Sequence, residues 1–252
     1  MASPNNHLLN ALSVEDLAAL KPHLKPVFLE HQTLLCEAGE EIKTAYFPTG
    51  SVVSLVVALT TGQIVEVAMV GKDGVIGASA ALHGGVSATR AIVQLAGPAL
   101  SCSVQHLRDV VRQSTNLQSR LSRQEQAIFA QAAQSTACMA IHTIETRLVR
   151  WLLRARDLAG SDTLKFTQEY IAEMMGVRRT SVTPVARTLQ EAGMIRYSRG
   201  TIEILDVEAM QNAACECYFS VKSHYDALLG EVRSFAGNHS HSRSALENGS
   251  DR

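Results

Sequence analysis

Residues 164–206 read LKFTQEYIAEMMGVRRTSVTPVARTLQEAGMIRYSRGTIEILD, and this stretch decides the fold. Thr167 is suited to cap a helix, and Tyr170, Ile171, Met174 and Met175 follow at helical spacing, so one short amphipathic helix is expected to run to about Met175. Gly176 can adopt positive φ and turn the chain into a second helix, Arg178 to Ala192, with Val182, Val185 and Leu189 facing inward. Beyond Gly193 the pattern becomes MIRY, then SRG, then TIEIL, two short alternating strands about a glycine turn. Helix, glycine turn, basic helix and glycine-tipped hairpin together spell a winged helix-turn-helix. An ordinary helical hairpin on a small sheet is the bland alternative.

The outward face of the second helix is polar and cationic: Arg178, Arg179, Thr180, Ser181 and Thr183, with Arg187 further on. Such a face suits the major groove, where arginine gives guanine two hydrogen bonds and hydroxyls reach base edges or phosphates. Thr167 and Gln168 at the start of the first helix, and Ser198 and Arg199 at the wing tip, complete the expected DNA contacts. Pro184 conflicts with a regular helix counted from Arg178, because it lacks an amide and its ring clashes with the preceding turn. Either the regular helix starts nearer Ser181, or it bends at the proline.

FTQEYIAEMMGVRRTSVTPVARTLQEAGMI followed by SRGTIEILD closely resembles the DNA-binding domain of the Crp/Fnr family of bacterial transcription regulators. The family's domain order spans nearly the whole chain, although the specific motif lies only here. The resemblance puts Arg179 at the family's main guanine-reading position and Thr180 where a glutamate is common. Pro184 stands where well-known members carry a second base-contacting arginine, so the resemblance leaves the preferred sequence open. The implied function is a sequence-specific transcription regulator, not an enzyme, acting as a homodimer on a near-palindromic stretch of double-stranded DNA. RNA polymerase and an unidentified small-molecule effector are further partners that the resemblance allows.

Composition agrees with two domains: 252 residues at 46% hydrophobic content can bury a substantial core. The net charge of -1 carries no global nucleic-acid signal, but its distribution does. Residues 143–205 hold ten Lys/Arg against seven Asp/Glu, whereas residues 206–252 hold four against seven. The opening MASPNNHLLNAL has neither a cationic start nor a long apolar run, and no segment matches a bilayer span, so a reduced, cytoplasmic protein without membrane contact is expected.

The expected class is α+β, with an N-terminal antiparallel β-roll or jelly roll of cyclic-nucleotide-binding-like type, a long dimerisation helix and a C-terminal winged helix-turn-helix. Boundaries fall at residues 1–115 for a short helix and the β-roll, 116–142 for the long helix, 143–230 for the DNA-binding domain and 231–252 for a disordered tail. Residues 1–7 look frayed, Ser13 caps a short helix, and glycine turns at short intervals from Val27 to Ser103 mark the roll. Leu117, Leu121, Ile128, Ala132, Ala137, Ala140 and Ile141 trace the long helix, whose small residues permit close approach of a second copy or of its own barrel. A further helix over 142–160 buries Ile144, Leu148, Trp151 and Leu152.

Residues 71–85, GKDGVIGASAALHGG, are glycine-dense. By the resemblance this is where a cyclic-nucleotide phosphate would be cradled, which makes Gly77, Ala78, Ser79, Thr89 and Arg90 the candidate effector contacts. Cyclic-nucleotide binders place a glutamate just after the equivalent of Gly77; Ala78 and Ser79 stand there instead, which argues against cyclic-nucleotide control. Tight turns between strands are the favoured explanation of the glycines. The resemblance also raises a metal- or haem-dependent redox sensor, but the family's N-terminal cysteine cluster is missing, and His83 is a lone candidate for haem. Cys215, Cys217 and His224 fall short of a zinc signature on a continuous helix, where i and i+2 point apart, and read as buried thiols. No catalytic residue, metal or cofactor is implied.

Overall fold

The computed structural model describes residues 5–230; the expected disordered tail, 231–252, lies outside them. The chain opens with α1 (His7–Asn10) and α2 (Val14–Leu20), the latter capped by Ser13. It then forms β1 (Lys25–Leu29), β2 (Leu34–Cys36), β3 (Thr44–Pro48), β4 (Val52–Ala58), β5 (Ile64–Val70), α3 (Ala78–His83), β6 (Arg90–Leu95) and β7 (Gly97–Ser103). The second half runs α4 (Val104–Gln113), α5 (Thr115–Ile141), α6 (Ile144–Ala159), β8 (Thr163–Lys165), α7 (Gln168–Met174), α8 (Arg179–Glu191), β9 (Ile195–Ser198), β10 (Thr201–Ile204), α9 (Val207–Ala213) and α10 (Cys217–Leu229). No helix among the described residues is long and apolar enough to cross a membrane.

The first seven strands make the expected antiparallel roll, from a three-stranded sheet β1-β7-β3 and a four-stranded sheet β2-β6-β4-β5. Phe47, Val53, Val70, Val93 and Ala99 fill the space between the sheets. Strand β4 shows why its sequence VVSLVVA barely alternates: Val53 points into the roll, while Val52 and Val56 join a second core with α6 and the helix-turn-helix. The four-stranded sheet is covered on both faces.

Three local expectations are corrected. Asn6 is fully buried rather than frayed: its amide donates to the Pro48 and Gly74 carbonyls at 2.9 and 2.8 Å, and its Oδ1 caps α1. Helix α4 was not expected. Val104, Leu107 and Val111 of VQHLRDVVRQ are buried at helical spacing, and the Ser103 hydroxyl caps the start. The closing helix is two helices, α9 and α10, separated by an extended Ala214.

The glycine-dense segment serves packing. A Cβ on Gly74 would lie 2.6 Å from the Gln124 amide of α5, and one on Gly71 would lie 2.7 Å from Leu158 of α6. The space left by Gly74 lets Gln124 pair with both backbone groups of Val75, at 2.7 and 3.1 Å. Helix α5 is thereby held to the roll by a side chain acting as a short strand.

Between the roll and α6 lies a buried polar group, Glu66 of β5. Its Oε1 accepts from Trp151 Nε1 at 2.9 Å, and its Oε2 lies 2.6 Å from Ser54 Oγ, which is 3.0 Å from Gln94 Oε1. One serine proton cannot serve two acceptors; a proton on Glu66 completes the chain from Glu66 to Ser54 to Gln94. Burial, opposed by the Ser54 and Trp151 hydrogen bonds and by Arg150 and Arg154, pushes the Glu66 carboxyl up to about 7.

Because the fold keeps a proton that the unfolded chain releases near pH 4.5, the Glu66 contribution to stability is fully present below about pH 4.5, falls as pH rises from there to about 7 and is level above. Glu66→Gln is expected to flatten this slope, so that between pH 5 and 8 it loses roughly 2–3 kcal/mol less than the parent protein in urea denaturation. Parallel pH profiles for the two proteins would contradict a protonated Glu66.

Candidate nucleic-acid interface

The two helices of the expected motif are stopped by the same device. Past α7, the Gly176 amide donates to Glu173 O at 3.1 Å and the Val177 amide to Ala172 O at 2.9 Å, with Gly176 at φ 64°. Past α8, Gly193 donates to Gln190 O and Met194 to Leu189 O, both at 3.0 Å, with Gly193 at φ 73°. These are paired Schellman closures, and each needs the left-handed residue that glycine supplies at least cost. Gly176 is further constrained because a Cβ there would meet Val65 of the roll at 3.0 Å.

At the entry to α7, Thr167 caps as expected, its hydroxyl accepting from the Tyr170 amide at 3.1 Å. Tyr170, Ile171, Ala172 and Met174 are buried. Helix α8 buries Val182, Ala186 and Leu189 and leaves Val185 half-covered. Regular helix begins at Arg179, not nearer Ser181, so Pro184 stands inside it and leaves the Thr180 carbonyl without its usual amide. The Thr188 hydroxyl bonds back one turn to Pro184 O at 3.1 Å, and the Thr183 hydroxyl lies 3.2 Å from Arg179 O.

The wing is a hairpin of β9 and β10 extended by β8, a third strand that pairs with β10. Ser198 pairs with Thr201 across a two-residue loop in which Arg199 and Gly200 have φ of 48° and 75°. Positive φ at both positions marks a type I′ turn, the geometry that matches strand twist. Arg199 therefore projects from the tip.

A small polar network locks the three pieces together. Tyr197 of the wing contributes its backbone amide to Gln190 Oε1 at 2.9 Å, and its hydroxyl accepts from the Gln168 amide at 3.1 Å. Gln168 in turn accepts from the Thr183 hydroxyl at 2.7 Å, which joins α7 to α8. Arg147 of α6 donates to Met175 O at 2.8 Å and closes the end of α7. Tyr197, Gln190 and Arg147 are positioning residues that sequence patterning missed; only an aromatic in a short exposed hairpin hinted at the first.

Arg178, Arg179 and Thr180 are exposed, Ser181 and Gln168 are half-buried, and Thr183, Ser198 and Arg199 are exposed. Arg187 is exposed and paired to Glu191 at 2.7 Å. No ion pair among the described residues involves Arg178, Arg179 or Arg199. Two unpaired cations in the first turn of α8 oppose the helix dipole, and Arg178 makes no capping hydrogen bond. An anion docked at that turn would offset the repulsion.

The effector candidates are split between two places. Gly77, Ala78 and Ser79 start α3, which packs on α5, and a Cβ on Gly77 would crowd Ile42 and the backbone of β3. Arg90 lies at the start of β6, where Glu37 engages it through Nε at 2.9 Å to both carboxylate oxygens and through Nη2 at 2.7 Å. Arg90 holds the Glu37 carboxyl below its usual range. Thr89 accepts from the Ser87 hydroxyl through its carbonyl at 2.7 Å. His83, the haem candidate, is exposed at the end of α3. The thiols regroup as well: His224 is exposed, while Cys215 and Cys217 meet Cys138 and His142.

Residues 146–213 match the Crp-like helix-turn-helix domain. No curated protein matches the sequence significantly. Among solved structures, FixK2 from Bradyrhizobium japonicum aligns with a TM-score of 0.65 at 14% identity, covering 76% of this chain and 98% of that one. A CRP-family transcriptional regulator from Thermus thermophilus aligns with a TM-score of 0.56 at 22% identity, covering 75% and 96%. The c-di-GMP responsive global regulator CLP of Xanthomonas campestris aligns with a TM-score of 0.59 at 13% identity, covering 77% and 100%. At such identities the likeness establishes the shared fold of roll, long helix and helix-turn-helix.

Pro184→Ala restores an amide to the Thr180 carbonyl. It is expected to raise stability by about 1–3 kcal/mol, read as a higher urea midpoint. An unchanged midpoint would mean that the helix is already relaxed around the ring.

Proposed function

From a Crp/Fnr-type DNA-binding transcription regulator as premise, we propose that this chain acts as a homodimer that reads a near-palindromic promoter site through α8. The observation that carries the reading is the exposed, unpaired Arg178 and Arg179 on the first turn of a helix whose opposite face is buried. Arg179 reads a guanine, Thr180 and Thr183 contact neighbouring base edges or phosphate, and Arg199 holds the flanking backbone from the wing. Thr167, Gln168, Arg178, Ser181, Arg187 and Ser198 lie around this contact as its phosphate-facing rim.

The homodimer rests on α5. Its buried stripe, Leu117, Leu121, Gln124, Ala127, Gln131, Ser135 and Cys138, faces its own chain. On the opposite side Phe129 is 75% exposed and Ile141 80% exposed, with Ala133, Ala137 and Ala140 at least partly uncovered between them. An aromatic followed by alanines at helical spacing, left bare on one chain, suits the close approach of a second α5. Two α8 helices about one duplex turn apart, roughly 34 Å, then fit adjacent major grooves.

The effector is not a cyclic nucleotide in this reading. Ala78 offers no carboxylate to a ribose, and Arg90 is already engaged by Glu37. A different small molecule, and RNA polymerase as downstream partner, complete the proposed regulator.

Selection of bound sites from a random DNA pool should return one inverted repeat. Arg179→Ala is expected to weaken that site by roughly 1–3 kcal/mol and relax it at one base, whereas Arg199→Ala weakens all sequences alike and lowers the salt slope by about 1. Absence of a preferred sequence at physiological salt would end the proposal. Phe129→Glu should convert the dimer to monomer in light scattering; a parent protein that is already monomeric would remove the twofold part.

A further inference from the structure

Four side chains that the DNA-binding role does not use converge where α5 ends. Cys138 and His142 stand four residues apart on α5 and at its C-cap, so both leave the same side of the helix. Cys215 and Cys217 come from the break between α9 and α10, where the chain is not continuously helical. That break removes the geometric objection to a CxC pair, since the two thiols no longer diverge around a helix. One potential ligand atom from each of the four lies within 4.8 Å of all the others.

Two of the separations match the edges of a coordination sphere. Cys138 Sγ and Cys215 Sγ are 3.6 Å apart, and Cys217 Sγ and His142 Nδ1 are 3.5 Å apart. Zinc bonds of about 2.3 Å to sulfur and about 2.0–2.1 Å to nitrogen put the edges of a tetrahedron near ~3.8 and ~3.6 Å. A disulfide would need its sulfurs at about 2.05 Å. The surroundings point the same way. His142 Nε2 faces the Glu216 carboxylate at 3.2 Å, the outer contact that orients a metal-bound imidazole and leaves Nδ1 free toward the sulfurs. Gln134 Nε2 donates to Cys217 Sγ at 3.0 Å, a contact that a thiolate accepts far better than a thiol.

Packing alone explains the cluster poorly. Cys138, Cys215 and Cys217 form a buried cluster of their own, apart from the aliphatic cores. We propose that Cys138, His142, Cys215 and Cys217 bind one zinc ion as a closed Cys3His site that clamps the end of the long helix to the closing helices of the DNA-binding domain. Three thiolates and a neutral imidazole fill all four positions, so the site is structural and leaves no place for a substrate. Binding releases three thiol protons to solvent and moves no electrons. The ion sits at the hinge between α5 and α6, and so sets the angle at which one leads into the other.

The test uses the full chain, purified in a non-thiol reductant without chelator. Elemental analysis is expected to give one zinc per chain, and Cys138→Ser to lose it. Because that variant could misfold, the parent protein loaded with cobalt is read as well: a tetrahedral thiolate site gives intense visible ligand-field bands and sulfur-to-cobalt charge transfer. Glu216→Gln, at an exposed position, should keep the fold by circular dichroism yet bind zinc about 10- to 100-fold more weakly in competition with a chromophoric chelator. Zinc near zero after loading, iron in its place, zinc that survives Cys138→Ser, or cobalt without thiolate charge transfer would each overturn the assignment. None of these readouts involves DNA.

Discussion

The outer face of the four-stranded sheet is the surface on which the rest of the molecule depends. Left bare, it would expose Val52, Val56, Met69 and Leu95 together with Ser54, Glu66 and Gln94. Helix α6 and the first helix of the DNA-binding motif cover it, with Trp151, Phe166 and Tyr170 stacked along the seam. Apolar area alone would hold the two halves together in many registers. The Trp151 to Glu66 hydrogen bond selects one, because a buried carboxyl tolerates little displacement of its donors.

That seam has a consequence for DNA recognition. Helix α7 faces the roll and α8 faces away, so the same packing that shields Tyr170 and Met174 leaves the arginines of α8 in solvent. The Schellman closures at Gly176 and Gly193 fix the angle between the helices, and the Tyr197, Gln168 and Thr183 network fixes the wing against both. Local strain is accepted on the proposed DNA-reading face. Two cations sit at the positive end of α8, a proline lies inside it, and Arg199 holds positive φ at the wing tip.

Helix α5 connects these regions through polar side chains as well as apolar ones. Gln124 pairs with Val75, Gln131 meets Tyr225, and the thiol cluster sits at the far end. A helix anchored this way on one side can leave Phe129 and its alanines free on the other.

The winged helix-turn-helix was legible in the sequence because its signals are local. Helix period, stop glycines, capping Thr167 and a glycine-tipped hairpin act within a few residues, and the resemblance to the Crp/Fnr family added the domain order. The antiparallel roll and the long helix were legible for the same reason, through turn spacing and apolar repeats. Helix α4 was overlooked, although Val104, Leu107, Val110 and Val111 recur at helical spacing and pack on the core of the roll. The break after α9 was not legible, since it depends on how the closing helices pack. Tertiary structure alone decided that Arg90 is occupied by Glu37, that Glu66 is buried beneath Trp151, and that Cys138 and His142 meet two cysteines some seventy-five residues away. Sequence patterns report what a residue does to its neighbours along the chain, whereas a carboxylate's partner or a thiol's companions are set by which surfaces the fold presses together.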